Sequence, residues 1–501
     1  MNRQRPWLTL PIALFCATFS LQSFADAALP ALLADHMVLQ RGLPVHIWGN
    51  AEPGESVAVT FRGETKTATT DDLGRWSIYL SPGDAGGPFS LVVKAINTIT
   101  LSDVLVGDVW VASGQSNMEL PLTRNENSAA EIAAAKYPRI RLFQVKKSTA
   151  EYPMEDVEAK SWAACTPETV ADSSAAAYFF AREIQQRTGV PIGLIESYWG
   201  GSAAESWTSL KALAADAALM PVFAVRAKQV DNHAADLREV AKEEREYVKA
   251  AEQAKAEGKP DPGRRWRGPF EWSPGSLYNA MVAPLTPYAI RGVIWYQGES
   301  NGGKDRAFLY ARLFQTMIRD WRRAWNEGDF PFLYVQIAPW NGAADGEWQV
   351  VRDAQRQTLA LRNTGMAVIV DVGDPDNLHP TDKQDVGARL ALAARAIAYG
   401  ERIEYSGPLF RQFTHEEHGL RIWFDHGNGL VAKGGELKGF EVAGSDGKYS
   451  PAEAKLDGAT VLLSSPTLPD PVSVRYGWSA APDGNLFNRE GLPASPFQSG
   501  E

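Results

Sequence analysis

The chain has 501 residues, 45% hydrophobic and 22% charged, with a formal net charge of −10 at neutral pH. That length calls for about three domains, and the composition excludes a disordered chain, a coiled coil and a polytopic membrane protein. With 60 Asp and Glu against 50 Lys and Arg, the acidic balance also argues against a nucleic-acid partner, since phosphate backbones select basic surfaces.

Residues 1–27 read as a secretory signal peptide. Arg3 and Arg5 start it, Trp7 to Leu21 is an apolar run, and Ala25-Asp26-Ala27 offers a small-x-small cleavage site. The expected location is periplasmic or secreted. The run is too short to span a bilayer comfortably, and no later apolar stretch reaches the roughly 18 residues of a spanning helix, so no membrane span is expected. Phe15 stands before Cys16, where a lipoprotein signal needs a small residue. Once Cys16 leaves with the signal, Cys165 remains alone, with no base beside it, and reads as a small packed residue.

Residues 28–103 read as a small sandwich-like β domain: Val57 to Phe61 and Trp76 to Leu80 alternate, with turn signals between them. From 104 to 404 the pattern becomes strand, polar loop, helix. Five apolar strands are expected, at Val104 to Ala112, Val190 to Ile195, Gly292 to Tyr296, Phe332 to Ile337 and Met366 to Val372. Helical spacing marks Tyr178 to Arg187, the series Tyr310, Phe314, Met317 and Trp321, and the series Val386, Leu390, Ala393 and Ile397. Strands alternating with helices predict an α/β fold with a parallel, doubly wound sheet of five strands. Residues 209–275 interrupt the alternation with a charged helix or helical hairpin. Its charge reads as a solvated face, with a lid over the site as the alternative. Residues 405–501 return to short strands and form a second β domain.

Ligands of doubly wound sheets bind beyond the carboxyl ends of the strands, and four of the five strands here end in clusters of Gly, Ser, Asn, Asp, Gln or His. Of the seven histidines only His379 lies on such a loop. Asp376, three residues earlier, can hold its imidazole and stabilise the charged form, with Asp374 as the competitor. Ser116, after Gly114-Gln115, is the candidate nucleophile, inert until a base takes its proton. The developing oxyanion needs donors, and the backbone of Ser116, the Gly200-Gly201 pair and the side chain of Gln297 or Asn301 come from three strand ends. Trp199, Trp207, Trp295, Tyr296 and Trp340 crowd the same ends. Trp295 reads as core, whereas Trp199 and Trp340, with Asn301, are the candidate sugar contacts. No His, Cys or carboxylate cluster has metal-ligand spacing and no phosphate loop appears, so no metal and no cofactor is expected.

The strings Gly107-Asp108-Val109-Trp110-Val111-Ala112-Ser113-Gly114-Gln115-Ser116-Asn117-Met118, Gly292-Val293-Ile294-Trp295-Tyr296-Gln297-Gly298-Glu299-Ser300-Asn301 and Asp376-Asn377-Leu378-His379-Pro380 resemble the sialate O-acetylesterase family of SGNH hydrolases. The resemblance implies a flavodoxin-like core with accessory β domains that cleaves O-acetyl esters from sugars without a metal. It implies Ser116 as nucleophile, His379 as base, Asp376 as its partner and Gly201 as an oxyanion donor. The chain departs from the broader superfamily pattern in reading Gly-Gln-Ser-Asn for Gly-Asp-Ser-Leu and in lacking Gly-x-Asn-Asp, and of the two side chains left for the third donor Gln297 is preferred to Asn301. The expected function is that of an exported serine esterase acting on O-acetylated sialic acid or a related sugar. The alternatives are an acetylxylan-type polysaccharide deacetylase and a non-catalytic carbohydrate-binding protein. A sialic acid carboxylate would need an arginine, and Arg124 is a candidate.

Overall fold

The computed structural model describes residues 26–81, 83–259, 272–343 and 346–499. All but the last two residues of the expected signal peptide lie outside that range.

The central strand, Thr98–Gly114, changes character along its length. Up to residue 103 exposed and buried positions mix, and from Val104 onward every residue is buried. A run covered on both faces is the mark of a parallel sheet between helix layers. The first half pairs antiparallel with Gly86–Lys94 of the N-terminal β region, and the second half joins the main sheet. One strand therefore runs straight through the 103/104 boundary.

Parallel to its second half lie Ile192–Tyr198 on one side and Gly292–Tyr296 on the other. Phe332–Val335 and Thr364–Ala367 continue the sheet beyond the latter. The strands stand in the order 2-1-3-4-5, the fifth at Thr364–Ala367 and so mostly ahead of the expected Met366 to Val372. The sheet is larger than expected, however: Tyr137–Val145 adds a sixth parallel strand beyond Ile192–Tyr198, and Ala159–Cys165 closes that edge antiparallel. The sheet is mixed. Arg139 and Arg141 break the apolar run that would have announced the sixth strand, and Arg141 is buried there because its guanidinium bonds both oxygens of Asp103, at 2.6 and 3.1 Å.

Helices cover both faces. Ala175–Thr188 and Lys383–Ile397 pack together on one side, and a Cβ on Gly387 would lie 2.5 Å from that of Phe179. Tyr310–Trp325 and Trp348–Thr358 cover the other, burying Phe314, Met317, Trp321 and Val351. The charged insertion forms one long helix, Pro221–Ala256.

Around this core sit the smaller β assemblies. Val45–Asn50 pairs with Arg75–Leu80. Val57, Val59 and Phe61 of the N-terminal region belong to the same apolar cluster as one face of the main sheet. The C-terminal region forms two four-stranded sheets and a two-stranded one around a cluster of its own that includes Leu420, Ile422, Val474 and Phe497. It is held to the core through Arg352, whose fully buried guanidinium donates to the carbonyls of Ser479 and Ala480 at 2.8 Å each. Trp340 N–H donates to Ala480 O at 3.1 Å, and Gln336 Nε2 to Ser495 Oγ at 2.8 Å. Among the described residues no helix is long and apolar enough to cross a membrane.

Candidate active site

The chain leaves strand 1 towards strands 2 and 3 on opposite sides, and the crevice so opened lies at its carboxyl end. Gly114 makes the exit. Its φ is +136°, and a Cβ there would come within 2.2 Å of Tyr296 O, so only glycine lets the chain turn so close to the neighbouring strand. The turn is fastened by Gln115, whose N–H donates to Tyr296 O at 2.9 Å and whose Oε1 accepts from Ser300 N at 3.2 Å.

Ser116 then opens a short helix, Ser116–Glu119. Its Oγ lies 2.8 Å from His379 Nε2, the geometry in which a neutral imidazole protonated on Nδ1 accepts the hydroxyl proton. Residues 263 positions apart in the chain are thus brought together. Burial, followed by the cations of Lys383 and Arg124, lowers the His379 pKa to about 4, with Glu119 acting in the opposite direction. The imidazole is therefore neutral at neutral pH, the state a general base requires.

The other expected residues divide. Among the described residues neither the Ser116 nor the Gly201 N–H has a protein acceptor. Gly200 packs on Ser116, a Cβ at that glycine lying 3.2 Å from the Ser116 Cβ, and its N–H is held by Glu119 Oε2. Gly201 takes φ +79°, which favours glycine, and lines the same cleft as Ser116.

Gln297, expected as the third donor, commits its amide within the protein. It is fully buried behind the cleft, with its Nε2 donating to Asn301 Oδ1 at 2.7 Å and Ser202 O at 3.3 Å. Asn301 is committed in the same way: its Oδ1 accepts from Ala204 N at 3.0 Å and its Nδ2 donates to Glu205 Oε2 at 2.9 Å. The two amides lock the loop at 202–205 to the third sequence block, and neither is among the residues lining the cleft. Asp376 is exposed, and its carboxylate accepts from Asn341 Nδ2 at 2.8 Å. It makes no hydrogen bond to His379.

Ser116 and His379 lie in a cleft of about 640 Å³ lined also by Trp199, Trp340, Trp348 and Arg124. Trp199 stands edge-to-face with Trp272 at 5.5 Å, and Trp340 leans on Trp348 at 5.3 Å. Both are partly exposed, as sugar-stacking rings must be. Trp207, Trp295 and Tyr296 are buried in the core. Arg124 has no carboxylate partner among the described residues, whereas Lys147 is paired with Glu119. No group of three His, Cys, Asp or Glu among the described residues could hold a metal. Cys165 is buried far from this chemistry, and burial pushes its thiol up to about 12.

Sequence reasoning missed the layer behind Ser116. Asn117 Nδ2 donates to Glu299 Oε1 at 2.6 Å and to Leu378 O at 3.1 Å, while its Oδ1 accepts from Lys383 Nζ at 2.7 Å. Lys383 is fully buried, and burial lowers its pKa to about 7 against the opposing pull of Glu299 and Asp382. Burial likewise raises the Glu299 carboxyl. Glu299 lay inside a specific string and could have been singled out. Lys383, a charged residue at the start of a helix after Asp382, carries no local signal of its burial.

The family described as carbohydrate esterase, sialic acid-specific acetylesterase, matches residues 265–396. The sialate O-acetylesterase of Homo sapiens is 30% identical, over 98% of this chain and 95% of its own length. That of Mus musculus is 29% identical, over 92% of both. Among solved structures, a carbohydrate acetylesterase from Xanthomonas citri is similar with a TM-score of 0.80 and 38% identity, over 95% of this chain and all of the other.

Proposed function

The chain belongs to the sialate O-acetylesterase family, and from that premise we propose that it removes O-acetyl groups from sialic acid or a related sugar through an acetyl-enzyme on Ser116. It is a carboxylic ester hydrolase with an O-acetylated carbohydrate as its class of substrate, which sets aside a purely carbohydrate-binding role. The observation that carries the mechanism is the 2.8 Å contact between His379 Nε2 and Ser116 Oγ inside a cleft walled by tryptophans.

Ser116 Oγ attacks the acetyl carbonyl as His379 Nε2 takes its proton. The tetrahedral oxyanion is held by the free N–H groups of Ser116 and Gly201. Collapse breaks the ester bond, and the leaving sugar oxygen takes the proton from His379. Water, deprotonated by the same imidazole, then releases acetate and restores Ser116. Asp376 is retained as the orienting partner of His379, because it stands three residues away on the same loop and apo active-site hydrogen bonds often form only in the complex. Arg124, unpaired beside the base, supports an acidic sugar, whose carboxylate it would bind.

On this reading the flavodoxin-like SGNH core of residues 104–404 does the chemistry, flanked by β domains at 28–103 and 405–501. Residues 1–27 direct the chain to the periplasm or beyond. Ser116→Ala should fold normally and release acetate from acetylated sialic acid at least about 10⁴-fold more slowly, the scale of losing a triad member. A folded variant with near-normal turnover would refute the mechanism. Acetylxylan assayed beside it distinguishes an acidic from a neutral sugar, and the intact mass of the exported chain tests cleavage after Ala27.

A further inference from the structure

The hydrogen bonds behind the nucleophile form one continuous path: Lys383 Nζ to Asn117 Oδ1, and Asn117 Nδ2 to Glu299 Oε1, at 2.7 and 2.6 Å. Each member comes from a different part of the chain. Asn117 follows Ser116, Glu299 belongs to the loop after Tyr296, and Lys383 begins the helix Lys383–Ile397 that follows His379. All three are buried, with relative exposures of 1%, 9% and 0%.

A buried ammonium without an adequate partner carries a large desolvation cost, so its presence here calls for a reason. Its Nζ also stands 5.1 Å from the centre of the Tyr296 ring, and the one hydrogen bond described for that nitrogen goes to the residue next to the nucleophile.

We propose that Lys383 is a positioning residue for the esterase: through Asn117 it anchors the turn that carries Ser116, and it sets its buried charge four residues along the chain from the base His379. The proposal rests on the reading of Ser116 and His379 as nucleophile and base. The charged groups acting on His379 are Lys383, Arg124 and Glu119, from three separate segments. Those acting on Lys383 are Glu299 and Asp382. Arg124 is exposed and so more strongly screened, which leaves Lys383 as the cation that solvent does not weaken.

Three substitutions separate anchor from charge. Lys383→Gln keeps a donor for Asn117 Oδ1 and removes the charge, Lys383→Arg keeps the charge, and Lys383→Met removes both. The measurement is kcat/KM for a small acetyl ester against pH, on the full chain. Loss of a nearby cation raises the pKa of an imidazole, so the acidic limb of the Gln and Met variants should move to higher pH by about one unit. The Arg variant should keep the limb where it is. On the plateau above the limb, the Met variant should fall about tenfold below the Gln variant, reporting the lost anchor. Should the Met variant fail to fold, the Gln and Arg pair decides on its own. A folded Gln variant whose limb coincides with that of the unsubstituted enzyme overturns the proposal. A wrong nucleophile assignment would show instead as activity surviving in Ser116→Ala, so the two failures are distinct.

Discussion

Asp376 spends its carboxylate on Asn341, at 2.8 Å, while its own N–H donates to Asp374 Oδ1 at 2.9 Å. The spacing Asp-x-x-His does not by itself produce the expected contact, because on an exposed loop a short side chain bonds whichever donor it faces. If Asp376 turns to His379 in the reacting complex, Asp376→Asn should lower kcat/KM by about 10²-fold or more, since an amide holds the wrong tautomer. Removing an anion beside the imidazole lowers its pKa, so the acidic limb should move to lower pH. That is the direction opposite to Lys383→Gln. Asp374→Asn should cost less than about tenfold. Unchanged profiles in both Asp variants would mean that Ser116 and His379 act as a pair. The meeting of Ser116 and His379 was legible because the proposed chemistry fixes residue type and strand-end position. The packing of Gln297 and Asn301 was not legible: a buried amide is as well suited to tying loops together as to binding an oxyanion, and sequence does not say which way it faces.

At the level of elements, the strand-end turn is the part that tolerates least. Gly114 combines φ +136° with a virtual Cβ 2.2 Å from Tyr296 O, so Gly114→Ala must move strand 1 away from strand 3 or abandon the turn. The expected cost is about 3 kcal/mol in denaturant unfolding, with loss of most activity, because Ser116 lies two residues on. A variant of unchanged stability would show the turn to be softer than these contacts imply. Four of the five strands and three of the four helices that cover the sheet could be read from apolar runs and helical spacing, while Trp348–Thr358 was missed and the fifth strand lies earlier than expected. Tyr137–Val145 could not, because its burial depends on Asp103 meeting Arg141, a long-range pairing that local pattern does not carry.

For the molecule as a whole, the contacts of Arg352 carry the argument from the C-terminal β region to the cleft. Its guanidinium reaches Ser479 O, 127 residues along the chain, and Ala480, whose carbonyl also takes the N–H of Trp340. Ending the chain at 404 would leave a buried cation short of two acceptors and would free one wall of the cleft. Such a truncation should aggregate or melt well below the full chain, at a cost of several kcal/mol. Equal melting temperatures would refute this coupling. The carbonyls that brace Trp340 and Arg352 belong to a loop outside the residues lining the cleft, so on the proposed function changes in the outermost β region should alter preference among acetylated glycans while Ser116, His379 and their neighbours stay as they are. On the proposed mechanism, the core that would carry the chemistry should therefore not be a module that can be excised or exchanged with its specificity intact.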